Sequence, residues 1–524
     1  MALFRPGIHA SIFTTCLALI LVGMPLSKFL ISVGMIALFV NWLLEGSLLN
    51  KIKNFLRNTP ALLFSSVFLV HLVSGFYTES AIDWYNAIRV KIPLMLLPLV
   101  FSTTSHFRQS WVKPLWLLFS LAVLFKCSLA LGTYYGWWGK GFSDVRDITR
   151  NISPIRLALM GCLAASGGLF IFRKNKSILA AFLLLFVFLL WFFIILKSIT
   201  GLFCLFTCPL LIFFVISIRN KKFLRLGLIS GFLILGTGIT AWKITGVHNT
   251  YFTPQNDASY PDISHTPSGN PYLHDTLNPM VENGVRVGLY NCWKELEEEW
   301  PERSNMEIHG KDQKGNFLMY TLLRFLASKN LPRDSAGLSK LSAEEISAIE
   351  RGIANVVYLK EDRITQRIHQ VLYELEDYRN RRGNPSGHSI IQRLEFWRAG
   401  WHVWSNNFWL GVGAGDTDRE LKAAYVEINS PLDEKFRLRP HNQFLSVAVA
   451  TGIFGLLIFL TSLIYPFLLK GKGLSVLYLI FFYLAFFSFF SEDTLETQAG
   501  VTFYAFFSAW LFFMLPSYFD NISE

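Results

Sequence analysis

The stretch Arg437-Leu438-Arg439-Pro440-His441-Asn442-Gln443-Phe444 places two guanidinium groups, an imidazole and a carboxamide next to one another. Arginine offers a planar, permanently charged set of donors that matches phosphate oxygens. Imidazole can act as a base or a hydrogen-bond donor near neutral pH. An apolar run follows Pro440, so a helix is expected to begin there. Its first turn presents unpaired N–H groups and the positive end of the helix dipole. An anionic headgroup would meet Arg437, Arg439, His441, Asn442 and that helix end together. The same residues also fit a helix cap flanked by anchors for anionic lipid.

A second candidate is the pair Arg393 and Arg398. Five residues is about 140° around a helix, so the two cannot both address one ligand atom. One is expected to face a site and the other a carboxylate such as Glu395. A third set lies inside apolar segments: Lys91, Arg156, Lys126 and, nearer a segment end, Arg89. Charge within a membrane is costly and marks function by default, although snorkelling to the interface also accounts for residues near segment ends. Other patterns are weaker. Gly411-Val412-Gly413-Ala414-Gly415 lacks the strand and the Lys-Ser/Thr of a phosphate loop, so a turn leading to a helix capped at Asp416 or Thr417 is expected. Asp416-Thr417-Asp418 is formally a DxD metal motif. The histidines show no zinc spacing, and no metal or cofactor is expected.

These residues must be carried on membrane helices. Only 16% of the 524 residues are charged, against roughly 25% in a soluble domain, and the mean hydropathy is +0.38. A soluble enzyme, a disulfide scaffold and a disordered chain are thereby excluded. The net charge of +11 does not point to nucleic acid. Residues 243–440 hold about 24 basic and about 27 acidic side chains, so the excess sits in the short loops of the apolar remainder. Cys292 is the only cysteine in the hydrophilic stretch, so no disulfide can form within it.

The fold class expected is all-α: a polytopic helical bundle of about twelve spans with a large helical loop domain between spans nine and ten. The spans read as 10–25, 27–44, 61–76, 86–101, 112–133, 153–172, 178–196, 200–217, 224–242, 443–469, 474–490 and 498–515. The domain boundaries are accordingly 1–242, 243–442 and 443–524. Basic loops such as 173–176 and 219–225 are expected to be cytoplasmic, with both termini. Glu79, Asp83, Glu492, Asp493 and Glu496 then fall on the opposite face, with the long loop. In a bacterial inner membrane that face is periplasmic. Within the loop, 249–285 and 383–387 read as irregular, and 286–300 and 316–329 as helical. From a capping box at Ser342 an amphipathic helix is expected to run towards Arg382. Another is expected over 389–408, with Trp397, Trp401 and Trp404 forming either a headgroup stripe or a local core.

Taken in order, Arg393-Leu394-Glu395-Phe396-Trp397, Trp409-Leu410-Gly411-Val412-Gly413, His441-Asn442-Gln443-Phe444-Leu445 and Thr451-Gly452-Ile453-Phe454-Gly455 resemble the O-antigen ligase and polymerase family of membrane glycosyltransferases. The motifs cover about 65 residues, and the layout extends the likeness along the chain. The resemblance implies transfer of a glycan from an undecaprenyl diphosphate donor to a lipid A-core acceptor, at a membrane face, without an essential metal. By resemblance Arg393 and His441 correspond to the family's functional arginine and histidine. Both are expected to be catalytic, His441 activating the acceptor hydroxyl or orienting the diphosphate, and Arg439, Arg398, Arg156, Lys91 and Asn442 are expected to bind the diphosphate. Relatives carry Ser-Arg where this chain has Ser198-Ile199, so Arg156 or Lys197 would supply that charge. Polymerisation of repeats and glycosylation of a protein share the layout. A transporter for a lipid-linked glycan or anion is the alternative from another class. No internal repeat supports it.

Overall fold

The computed structural model describes residues 5–104, 107–138, 145–150, 152–252, 264–275, 277, 280–379, 385–386, 389–470 and 474–515. The structure is all-helical apart from a two-residue antiparallel pair, Val281–Glu282 with Val285–Arg286. Among the described residues nine helices are long and apolar enough to cross a membrane, or up to ten if one bent pair is counted. The bent pair is Lys28–Leu44 with Leu48–Leu56, turned by 111°. Val476–Ser491 and Gln498–Met514 are apolar helices shorter than that length. All twelve expected segments are therefore helical, while nine meet the spanning length. Large apolar side chains such as Leu184, Leu224 and Phe203 remain exposed on these helices, as lipid-facing surfaces require.

Two compact units are present: Met1–Ile229 together with Gln392–Glu524, and Ser230–Ile391. The first is built on apolar helices whose shared core is mostly aliphatic, with clusters of aromatic rings within it. Trp116 packs against Phe507 and Trp510, with ring centroids 6.1 and 6.2 Å away. Such pairs add to area burial through their quadrupoles. The helix Ser389–Asn406 turns Phe396, Ala399 and Val403 inward and leaves Trp397 and Trp401 exposed. Trp404, the third member of the stripe, packs half-buried against that local core, so the stripe is divided between an exposed face and a core contact.

The chain then turns through Gly411 and Gly413, both at positive φ, and lies backbone to backbone on the helix Gln443–Lys470. That helix is broken at Gly452, which has φ 65° and ψ −166°, a conformation open essentially to glycine alone. The break frees carbonyl and amide groups that the turn takes up. Val412 N donates to Val449 O, Gly413 N to Ala450 O and Ile453 N to Phe408 O, at 2.8–3.0 Å. The two glycine motifs are therefore halves of one contact.

In the second unit, Trp300, Leu318, Leu322, Phe325, Leu326, Ile346 and Ile349 form a separate core. The helix Leu318–Ser328 and the Ser342 capping box match expectation. The single long helix from Ser342 does not form. It is divided into Ala343–Glu350, Val357–Lys360 and Arg363–Arg379. Gly352, at φ 77°, closes the first piece, with its N–H on Ile349 O and that of Ile353 on Ala348 O. Such a glycine cap overrides amphipathic periodicity that continues past it. The 286–300 helix is shorter than expected, spanning Trp293–Glu299. Much of the irregular 249–285 and 383–387 stretches, and the chain towards Arg382, lies outside the described residues.

A Cβ on residue 452 would lie 2.1 Å from Trp409 O. Gly452→Ala is expected to cost at least about 1–3 kcal/mol from backbone strain alone. A thermal midpoint in detergent equal to wild type would refute this packing.

Candidate active site

The sequence candidates converge on the segment 491–496, which links Val476–Ser491 to Gln498–Ala509 through a single 3-10 turn, Thr494–Glu496. Its carboxylates divide the cations among them. Glu492 meets Arg156 at 3.3 Å and accepts from Ser153 Oγ at 3.3 Å. Glu496 meets Lys91 Nζ at 2.6 Å and Arg439 Nη1 at 3.2 Å. Arg439 also grips Asp418 with two parallel bonds, from Nε at 2.6 Å and Nη2 at 2.9 Å. Arg393 reaches the Ser491 carbonyl with Nη2, at 3.5 Å. Six of the seven candidates therefore touch this one link.

Asp493 fixes the remaining two through their backbone. It accepts from His441 N at 3.0 Å, Asn442 N at 3.1 Å and Ser446 Oγ at 2.6 Å. His441 has φ 48°, a left-handed conformation that histidine adopts uncommonly. The carboxylate holds that turn in place. Asn442 Oδ1 then caps the following helix at Leu445 N, at 3.1 Å. The His441 ring stays one-third exposed, with Nδ1 3.8 Å from Asp493 Oδ2 and the ring against Phe396. The helix cap expected at this position is therefore present.

Arg398 does not join the cluster. It pairs with Glu395 at 3.3 Å and the Ile428 carbonyl at 3.0 Å, as the helical angle between residues 393 and 398 requires. Ser198, where relatives carry Ser-Arg, caps its helix at Gly201 N. Of the two substitutes considered for that arginine, Arg156 is the one on the acidic link.

A small cleft lies beside these groups, with about 10 Å³ of room, enough for a single water or hydroxyl. Its lining is His71, Lys91, Ala414, Thr417, Arg439, Ser446, Ala450 and Glu496. Lys91 is 1% exposed, so its charge depends wholly on Glu496 within the protein. Burial raises the Glu496 carboxyl, but Lys91 and Arg439 outweigh it and hold the group at about 2. Burial raises Asp493 above its ordinary value, against the pull of His441 and Ser446.

The glycine-rich turn is no phosphate cradle. Its successive amides are already taken by Val449 O, Ala450 O, Ser74 Oγ and Thr78 Oγ1. Asp416 and Asp418 of the formal DxD motif face different partners. Asp416 accepts from Glu79 N, Ser80 N and Thr78 Oγ1, whereas Asp418 holds Arg439. Burial raises Asp416, yet those donors keep it below the usual carboxylate range. Among the described residues no group of three or more His, Cys, Asp or Glu is arranged to hold a metal.

Sequence reading took Glu492, Asp493 and Glu496 only as markers of membrane sidedness, and passed over His71 and Ser446. Three carboxyls spaced within five residues between two apolar helices were the available signal. For His71 there was none beyond a lone imidazole in an apolar segment.

Comparison with known families places residues 352–460 in a match to the family model described as O-antigen ligase. The match covers about a fifth of the chain and contains Arg393, the Gly411–Gly413 turn, His441 and Gly452. No curated protein matches the chain.

Because the Glu496 carboxyl lies lower in the folded chain than its ordinary 4.5, its pairing stabilises the fold fully above about that pH. That contribution is lost as pH falls from about 4.5 towards 2. Glu496→Gln should therefore lower the thermal midpoint at pH 7, with the difference from wild type shrinking below pH 4.5. A difference independent of pH would mean that Glu496 is not held ionised by Lys91 and Arg439.

Proposed function

With residues 352–460 assigned to the O-antigen ligase family, we propose that the chain transfers a glycan from undecaprenyl diphosphate to a lipid A-core acceptor. The reading places the reaction at the periplasmic face of a bacterial inner membrane crossed twelve times, with both termini cytoplasmic. ATP is absent there, so the diphosphate bond of the donor supplies the driving force. The observation that carries the reading is the convergence of Arg393, Arg439, His441, Arg156 and Lys91 on the link 491–496, with the first three inside the matched segment.

Breaking a sugar–diphosphate bond leaves a multiply charged anion, which preorganised donors stabilise more strongly than water does. Lys91 and Arg156 retain donors for it. Lys91 has further N–H bonds beyond the one on Glu496, and Arg156 Nε is buried without a partner among the described residues. Arg393 and Arg439 add charge from the loop side. His441 and Asn442, at the start of the helix Gln443–Lys470, orient the diphosphate next to the helix dipole. A single displacement inverts the anomeric centre, and retained stereochemistry in the product would exclude it. The helical second unit favours ligation over polymerisation, as a surface for a large acceptor.

His441→Ala and Arg393→Ala are each expected to lower transfer by at least about 100-fold while the protein still inserts. The check is a gel of lipopolysaccharide and lipid-linked glycan from a deletion strain complemented with each variant. Loss of the long-chain ladder, with polymer left on the carrier, supports ligation. A core bearing one repeat would turn the reading to polymerase. Unchanged glycans in both pools would overturn it in favour of a protein acceptor or transport.

A further inference from the structure

His71 lies in the last turn of Thr59–Val73 and lines the cleft with Lys91, Thr417, Arg439, Ser446 and Glu496. It is 1% exposed. Its Nδ1 is 2.7 Å from the Val67 carbonyl, which can only accept, so Nδ1 carries a proton. Nε2 is buried and has no hydrogen-bond partner among the described residues. A buried donor left unpaired is costly, whereas a lone pair facing a cleft awaits a donor. The residue is also held firmly: its carbonyl accepts from Ser74 Oγ at 2.7 Å and Trp84 Nε1 at 3.2 Å. The other lining residues bring two cations and one carboxylate, so His71 carries the one neutral basic nitrogen among the residues that line the cleft.

We infer that His71 Nε2 receives the hydroxyl of the glycan acceptor and takes its proton during transfer, a role that rests on the glycosyl-transfer reading above. The acceptor O–H bond breaks as its oxygen bonds to the anomeric carbon. The bond from that carbon to the phosphate oxygen breaks, and its electron pair leaves with the lipid diphosphate. The proton moves to Nε2, giving an imidazolium whose Nδ1–H remains on Val67 O and whose charge faces Glu496. It passes to solvent when the products leave. Thr417 and Ser446, both hydroxyl-bearing, line the path on which the acceptor hydroxyl would sit. His441 is then left to orient the diphosphate, and the two histidines have separate tasks.

The test uses the full-length protein in detergent with a lipid-linked glycan donor and a lipid acceptor. His71→Gln keeps a hydrogen-bonding group but cannot take a proton. It is expected to lose at least about 100-fold in kcat, the usual contribution of a general base, with KM for acceptor and affinity for undecaprenyl diphosphate within about twofold of wild type. Wild-type kcat in His71→Gln would overturn the assignment. A loss of diphosphate affinity instead would move His71 to donor binding and equally overturn it. As a readout independent of turnover, ¹⁵N-histidine spectra should show one imidazole with Nδ1 protonated and Nε2 bare, absent from His71→Gln. Protonated Nε2 would overturn the proposal. A wild type with that tautomer but without transfer from a lipid diphosphate would overturn the parent reading, and with it the substrate named for His71.

Discussion

A lysine that is almost wholly buried in a bundle of apolar helices cannot keep its charge unless a carboxylate comes to it. In this chain that carboxylate is Glu496, 2.6 Å from Lys91, and the arrangement of the whole site follows from where it comes from. Glu496 belongs to a link of a few residues between two apolar helices, so it cannot move far without moving both. Having drawn Lys91, it also fixes Arg439, which arrives from the segment preceding the helix Gln443–Lys470. Its neighbours Glu492 and Asp493 do the same for Arg156 and for the His441 turn. The helices carrying Lys91 and Arg156 and the start of the helix Gln443–Lys470 are thereby registered against a single acidic link.

The pairing has a consequence for anion recognition. A cluster of unpaired cations at a membrane face would bind any phosphate headgroup in the surrounding lipid. Here Lys91, Arg156 and Arg439 are each paired with a carboxylate, so an anion would have to present enough charge and donor-matching oxygens to compete with those carboxylates. Under the proposed function, a diphosphate with two phosphoryl groups would do so better than a single phosphodiester. On that reading the carboxylates would discriminate by built-in competition as well as hold the structure.

Much of this was legible in the residues. The apolar segments, the helix starting at Gln443 and the divergence of Arg393 from Arg398 follow from local rules, and these the structure bears out. What local rules miss is pairing at a distance. Glu492, Asp493 and Glu496 look like loop charges because their partners lie at positions 156, 441 and 91, and nothing in their own neighbourhood names those positions. His71 was invisible for the same reason: the cleft it borders is completed by Lys91, Glu496 and residues between Ala414 and Ala450, all distant in sequence. The division of the 342–382 stretch was a different failure. Apolar periodicity persisted beyond Gly352, and a single left-handed glycine was enough to end the helix.

The glycines help to hold a site that is built partly from a loop. Between Phe408 and Ile453 the chain stays within the membrane unit and is tied at three places. The turn 411–413 bonds the broken helix at Val449 and Ala450, Asp416 bonds the amides of Glu79 and Ser80, and Asp493 bonds those of His441 and Asn442. Each tie has backbone on at least one side, and two of them are closed by the side-chain carboxylates of Asp416 and Asp493. A transfer reaction gains most from reacting groups held in one geometry before the substrate arrives. In this protein that geometry is set by backbone amides bonded to two buried aspartates and to a broken helix.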